Sequence, residues 1–322
     1  MEKESYPRSL SEFEARFASS EDCLRYLAQL RWPNGFVCPQ CGSHDAWTTA
    51  RGLWHCRKCD RQTSVTAGTI HHGVRSPLTL WFRAMWHITS QKYGANALGL
   101  KRTLGLGSYQ TAWECLHKLR RAMVRPGRDR LTGIVQVDET YVGGKKKPGK
   151  RCRGAAGKVP VEIAVEDKGL EGIGRIRLAA LPDVSSISLE AFVENSVTPD
   201  STVITDGWKS YGGLSSKGYQ HVICEDPNEL ALPHLVASLL KRWLLGTYQG
   251  AVRQGCLPYY LDEFAFRFNR RTSASRGKLF FRLVQHLLAV DPVPRPTLGD
   301  LCKGDAEDDF DTDGADVGDH NI

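Results

Sequence analysis

Four cysteines carry the clearest chemical spacing in the chain: Cys38 and Cys41, then fourteen residues, then Cys56 and Cys59. Each C-x2-C pair, in "CPQCG" and "CRKCD", suits a tight knuckle that aims two thiolates at one ion. Four thiolates around Zn²⁺ make a closed tetrahedral site with no position left open for catalysis, so one structural zinc is the expected cofactor. The intervening "AWTTARGLWHC" has strand character and fits a short hairpin. The competing reading is a pair of disulfides in a secreted module. It conflicts with the N-terminus, "MEKESYPRSLSEFEARF", which is charged and has no apolar core of a signal peptide. Cys23, Cys115, Cys152, Cys224, Cys256 and Cys302 show no paired spacing and read as ordinary thiols. His44, His55, His71 and His72 lie near the cluster, but four cysteines already fill the tetrahedron.

A second set of residues is acidic. "GIVQVDETYVGG" reads as a strand, yet Asp138 and Glu139 interrupt its middle; Asp206 ends another strand in "STVITDGWKSY". Two aspartates on adjacent strands can hold hard divalent cations such as Mg²⁺ or Mn²⁺ through oxygen. A pair of such ions can activate an attacking oxygen and stabilise a leaving one in phosphoryl transfer. Glu139 points to the face opposite Asp138 and falls outside this site. A third ligand should come from a following helix, "ELALPHLVASLLKRWLLGTYQG", with Pro233 in its first turn. His234 and Lys241 are seven residues apart there, about 10 Å along one helical face. Leu235, Leu239 and Trp243 are expected to bury the other side. An acid is the expected type at position 234, so Glu225, Asp226 and Glu263 stay open as alternative third ligands.

The elements that must position these groups fall into blocks: a segment with the zinc ribbon at 1–70, a helical region at 71–130, an α/β region at 131–293 and an acidic tail at 294–322. "SPLTLWFRAMWHITSQ" suggests a helix with Ser76 as N-cap and Pro77 at its first position, burying Trp81, Met85 and Ile88. "GANALGLKRTLGLGSYQTAWECLHKLRRAMVR" reads helix, glycine-containing turn, helix, with Ser108 capping the second. Trp113, Leu116 and Leu119 would face inward while Lys118, Arg120, Arg121 and Arg125 collect towards its end, the layout of a helix-turn-helix reading DNA. From residue 131 the period changes to two. "GIVQVDETYV", "KVPVEIAVED", "GRIRLAAL" and "STVITD" read as strands, with helical "SSISLEAFVENSV" before the last and a short fifth strand in "YQHVICE". That order fits an RNase H-like α/β domain.

Charge agrees with a nucleic-acid partner. The 322 residues carry a formal charge of +7, but residues 303–322 hold eight acids and one Lys, leaving +14 for the body. A basic body favours a polyanion. The Asp-rich tail has the composition of a disordered segment. No apolar run of about 18 residues suggests a membrane span, and a cytoplasmic, nucleoid-associated protein is expected.

Together "VDETYVGGK", "TDGWKSY", "LLKRWLLGTYQGAV" and "YLDEFAFRFNRR" resemble bacterial insertion-sequence transposases of the ISXO-like group, over residues 15 to 293. That family carries an N-terminal zinc ribbon and a DDE-superfamily catalytic domain whose third catalytic position varies among Glu, Asn and His. The resemblance implies Asp138, Asp206, His234 and Lys241 as the catalytic set, the first three holding Mg²⁺ or Mn²⁺. Leu235 departs from the pattern, where a basic residue is expected. Arg267, Arg270 and Arg271 share a helical face and could bind the DNA backbone, or pair with Asp262 and Glu263. The implied function is cleavage of element ends and their joining to target DNA. Double-stranded DNA (terminal inverted repeats and target) would be the partner, and a homo-oligomer would hold two ends together. A domesticated zinc-ribbon regulator that binds DNA without cutting is the alternative; an RNase H-like nuclease without strand transfer is a third reading.

Overall fold

The computed structural model describes residues 4–143, 158–226, 230–250 and 252–292. Lys145, Lys146, Lys147 and the acidic tail lie outside them.

Two helices open the chain, α1 (Leu10–Arg16) and α2 (Ser20–Arg31), each capped by a serine that accepts a backbone N–H: Ser9 from Glu12 and Ser19 from Asp22. Ser19 and Asp22 form a reciprocal capping box, which satisfies donors that a helix start leaves open. Three short antiparallel strands follow: β1 (Ala46–Thr48), β2 (Trp54–Cys56) and β3 (Gln62–Thr63). Phe36 stacks on Trp54 at 5.3 Å, with Trp32 against both, so the ribbon has a small aromatic core of its own.

Next come α3 (Leu78–Ser90), α4 (Ala97–Leu104) and α5 (Tyr109–Ala122). Ser108 caps α5 as expected, accepting from Thr111 at 3.0 Å. Ser76 does not cap α3. Pro77 stands at the N-cap with ψ 142°, so helical dihedrals begin one residue later than its fixed φ suggested.

The α/β region is a five-stranded mixed sheet with two faces covered. Its strands are β4 (Ile134–Val142), β5 (Val159–Asp167), β6 (Ile173–Ala180), β7 (Thr202–Thr205) and β8 (Gln220–Ile223), in the order β6-β5-β4-β7-β8. The first three pair antiparallel and the last two run parallel to β4. Helix α6 (Ser186–Ser196) covers one face, packing Leu189, Phe192 and Val193 on Val135 and Val137. Helices α7 (Ala231–Tyr248) and α8 (Leu257–Phe268) cover the other, against Val161, Ile163, Val165, Ile176 and Leu178. Burial on both faces explains the β-branched run in β5.

Helix α9 (Arg276–Ala289), which the sequence reading placed in the α/β block, packs Leu279, Phe280, Leu283 and Val284 into the N-terminal helical core instead. Phe280 meets Phe13, Phe17, Phe82 and Trp86. Each such fully buried ring contributes roughly 1.5–3 kcal/mol, enough for a distant segment to join this core. Gly277 permits the approach, since a Cβ there would stand 1.6 Å from the Pro7 carbonyl oxygen. Cys23, Cys115 and Cys224 are buried thiols, whereas Cys256 is disulfide-bonded rather than the plain thiol expected.

Candidate active site and metal centres

The two cysteine knuckles are built alike. Gly42 N–H donates to the Cys38 carbonyl at 2.9 Å and Asp60 N–H to the Cys56 carbonyl at 3.0 Å. Gly42 and Asp60 both take positive φ, 70° and 55°, which closes each turn. The Sγ atoms of Cys38 and Cys59, and of Cys41 and Cys56, lie 3.6 Å apart, and all four lie within 4.8 Å of one another. Tetrahedral Zn–S bonds of about 2.3 Å require S···S near 3.8 Å, so this donor set fits one zinc. Burial raises the Cys38 thiol, but N–H groups of Cys41 and Gln40 and the neighbouring sulfurs outweigh it and bring it down to about 6. Cys56 is lowered in the same way, while Cys59, despite the Arg61 N–H, is raised to about 12 by burial and the neighbouring sulfurs.

The acidic site stands at the centre of the larger sheet. Asp138 lies mid-β4 on the face covered by α7, and the parallel register Gln136↔Ile204 brings Asp206, one residue beyond β7, to the same face. His234 in the first turn of α7 places Nε2 3.2 Å from Asp138 Oδ2. The helix is tied to the strand at this point, because Leu232 N–H donates to Gln136 Oε1 at 3.3 Å and Gln136 Nε2 donates to Asp167 at 3.0 Å. Trp208 N–H donates to Asp206 Oδ1 at 3.1 Å, which orients that carboxylate on its turn. Asp138 is pushed up to about 6, first by burial, then by Glu139 and Asp206, with His234 opposing. Lys241 is lowered by burial and by Lys158, with the charge of Asp138 working in the other direction. Two crowded carboxylates and an imidazole are a donor set that a divalent cation would suit, since it would relieve the cost of ionising Asp138. The three are less compact than the thiol cluster, which among the described residues is the group with every ligand atom within 4.8 Å.

Residues 130–269 match the ISXO2-like transposase domain, and residues 18–62 match the transposase zinc-ribbon domain. The chain thus carries an ISXO2-like transposase domain behind a transposase zinc ribbon. It is also 25% identical over 293 residues to an uncharacterized protein in transposable element ISH50 of Halobacterium salinarum, covering 81% of this chain and 94% of the relative. No helix among the described residues of the transposase is long and apolar enough to cross a membrane.

The transposase buries its α7 differently from the expected pattern. Leu235 is exposed and Leu239 and Trp243 are half-buried, while Pro233, Val236, Ala237, Leu240 and Leu244 form the packed face. His234 and Lys241 therefore flank the buried stripe rather than oppose it.

Several basic residues expected to meet DNA make contacts within the fold. Arg120 is 1% exposed. Its Nε donates to Glu263 Oε2 at 2.8 Å, its Nη2 to Tyr248 at 3.1 Å, and its guanidinium lies 4.1 Å from the Tyr260 ring. Arg267 donates to the other Glu263 oxygen at 2.9 Å and reaches the Gln91 carbonyl. Gly94 leaves room for this clamp, as a Cβ there would lie 2.6 Å from Glu263 Oε1. Glu263 is thus consumed as a counter-ion to two arginines, which removes it as an alternative third ligand. Arg271 donates to the carbonyls of Ile173 and Gly174, and Asn269 pairs both backbone groups of Ile176 at 2.7 and 3.1 Å. These side chains cover the open edge of β6 as a neighbouring strand would. Arg270 stacks on Phe266 at 4.1 Å. Lys118 is half-buried, and Arg121 is exposed. Glu225 and Asp226 stand exposed beyond β8.

Behind Asp138 lies a cluster that the sequence reading missed. Glu139 faces Glu162 across β4 and β5 on the opposite side of the sheet, and Tyr211 donates to both, at 3.4 and 3.3 Å. Glu162 is fully buried, and its Oε2 has no partner among the described residues. Burial first, then Glu139, holds its carboxyl well above the usual range. Tyr211 comes from "TDGWKSY", so this phenol ties the turn after Asp206 to the strand of Asp138. Only the cross-strand register, invisible in sequence, brings the three together.

Proposed function

We propose that this transposase cleaves the ends of its insertion element and joins them to target DNA by metal-dependent phosphoryl transfer. The observation that carries the reading is the approach of His234 to Asp138 at 3.2 Å, beside Asp206 on the same sheet face. The strand order, with three antiparallel strands and two more parallel to the first, supports an RNase H-like catalytic domain. Asp138, Asp206 and His234 would hold Mg²⁺ or Mn²⁺, which supplies charge stabilisation at the attacking and leaving oxygens. Asp138, which faces His234 and lies level with Asp206 on the neighbouring strand, would serve both halves of the site. Lys241, two turns along α7 from His234, lies where it can hold a phosphate oxygen. The zinc ribbon and the α4–α5 pair, as a helix-turn-helix, hold the terminal inverted repeats, with Lys118 and Arg121 on α5 towards the backbone. Two ends must be held together, so the active species is a homo-oligomer acting on the nucleoid in the cytoplasm.

Duplex DNA carrying the element's end, incubated with protein and Mn²⁺, tests this directly. Asp138→Ala and Asp206→Ala should bind the end as wild type does and cut at less than about one-thousandth of its rate, because the carboxylates hold metal and not sequence-reading contacts. Cleavage near the wild-type rate in either variant would sink the assignment. End binding without cleavage by the wild-type protein would favour the regulator instead.

A further inference from the structure

Six arginines line one cavity of ≈ 690 Å³ at the junction of the helical and α/β parts: Arg125, Arg128, Arg175, Arg177, Arg270 and Arg282. They come from the loop after α5, the edge strand β6, the turn after α8, and α9. The carboxylates in the lining are Asp129 and Asp262. Three of the arginines are matched: Arg125 with Asp129 at 3.3 Å, Arg175 with Glu166 at 2.6 Å, and Arg282 with Glu4 at 2.5 Å. The other three, Arg128, Arg177 and Arg270, have no ion pair among the described residues. Arg177 and Arg270 are held in place by backbone carbonyls, of Asp129 and Ile176 and of Phe266, which orient a guanidinium without neutralising it.

A soluble protein gains nothing in stability from gathering unmatched guanidinium groups in one concave site. Burial and neighbouring arginines push Arg177 and Arg270 each down to about 10, so their charges oppose one another there. Asp262 offers limited relief, because its own burial raises it to about 7 despite Arg128 and Arg121. His286 also lines the cavity, is 8% exposed, and its Nδ1 has no hydrogen-bond partner among the described residues. Planar guanidinium forks converging on a concave site are the donor arrangement that suits phosphate oxygens.

We infer that this arginine-lined cavity is a seat for the sugar-phosphate backbone of DNA, in which Arg128, Arg177 and Arg270 hold phosphodiester oxygens. The volume accommodates more than one phosphate, which favours a stretch of backbone over a single ion. None of Asp138, Asp206, His234 and Lys241 lines the cavity, and its walls come from both the helices and the edge of the larger sheet. DNA seated here would therefore be held against both parts at once. The proposal rests on the transposase reading above and extends it to a contact that positions DNA without reading its sequence.

Full-length, zinc-loaded protein can be titrated with a fluorescent duplex of the element's end and with an unrelated duplex of equal length, at several salt concentrations. Arg128 makes no hydrogen bond or ion pair among the described residues, so Arg128→Gln reports on the cavity's charge with little risk to folding; Arg128→Gln/Arg270→Gln is the stronger perturbation. Each lost phosphate contact should lower the slope of log K against log salt by about one and weaken both duplexes alike, by about tenfold. Zinc content and melting temperature check that the variants are folded. If wild type binds both duplexes and the folded variants match it in affinity and slope, the cavity is not a backbone site, while the transposase reading stands. If wild type binds neither duplex, both readings fall. If inorganic phosphate at millimolar concentration stabilises wild type but not Arg128→Gln, with DNA binding unchanged in the variant, the cavity takes a small anion and the inference is overturned.

Discussion

Asp138→Asn should stabilise the metal-free transposase while abolishing its chemistry. Asp138 has a folded-state pKa of about 6 against an ordinary value of 3.8, raised by burial, Glu139 and Asp206. The folded state therefore holds the proton more tightly than the unfolded chain. Stability from this group is complete below about pH 3.8, is lost as pH rises, and is fully gone above about pH 6. A gap of about two units at roughly 1.36 kcal/mol each corresponds to about 3 kcal/mol. Asparagine has the same shape and never ionises, so the variant escapes that loss, less whatever its weaker contact with His234 gives back. For a domain of this size the gain is roughly 5–10 °C in melting temperature. Thermal melts of zinc-loaded protein without Mg²⁺ or Mn²⁺ should show the variant ahead at pH 8 and level with wild type at pH 4. Adding Mn²⁺ at pH 8 should raise the wild-type melting temperature and leave the variant unmoved, since a bound cation offsets the crowded carboxylates only where they exist. The reasoning is refuted by a variant that melts below wild type at pH 8, or by an equal Mn²⁺ response in both proteins.

Three further outcomes follow from the geometry. Cys38→Ser should reduce zinc from about one ion per chain to near zero and expose the β1–β2 hairpin amides to exchange, while β4 and β5 stay protected; retained zinc would contradict the knuckle assignment. Arg120→Met should cost about 3–5 kcal/mol in chemical denaturation, because it strips one of two counter-charges from the fully buried Glu263. Adding Glu263→Gln should recover part of that loss, and a cost below about 1 kcal/mol for the single variant would show the clamp to be dispensable. His234→Ala should lose most Mn²⁺-dependent cleavage and His234→Glu should keep part of it. Cleavage by wild type should fall as pH drops below about 6, where Asp138 takes its proton; a wild-type rate in His234→Ala would remove His234 from the site.

What could be read without coordinates was whatever depends on spacing along the chain. The two C-x2-C pairs, Ser108 as a cap, and the strand sequence ending in Asp206 all follow from local pattern, and each stands where expected. The alternation in β4 also separates Asp138 from Glu139 correctly, since a strand's two-residue period leaves no freedom. Helical faces were harder. On α7 apolar residues stand on almost every side, so periodicity could not choose between Leu235, Leu239 and Trp243 and the stripe of Val236, Leu240 and Leu244 that packs.

The arginines mark the deeper limit, because charge in a sequence says nothing about whether a counter-ion waits in the fold. Arg120 and Arg121 are neighbours in one basic run, yet the first is buried against a carboxylate 143 residues away and the second is exposed. The same chemistry in "FNRR" divides again: Arg271 covers strand-edge carbonyls, while Arg270 lines the junction cavity. Fold-level pairing thus consumes some of the positive charge that a residue count assigns to DNA. Arg128 and Arg177 carry the complement of that point. Neither belongs to a basic motif that composition would single out, and each is left without an ion pair among the described residues where two parts of the fold meet. In this transposase the informative cations are those the structure positions and does not neutralise.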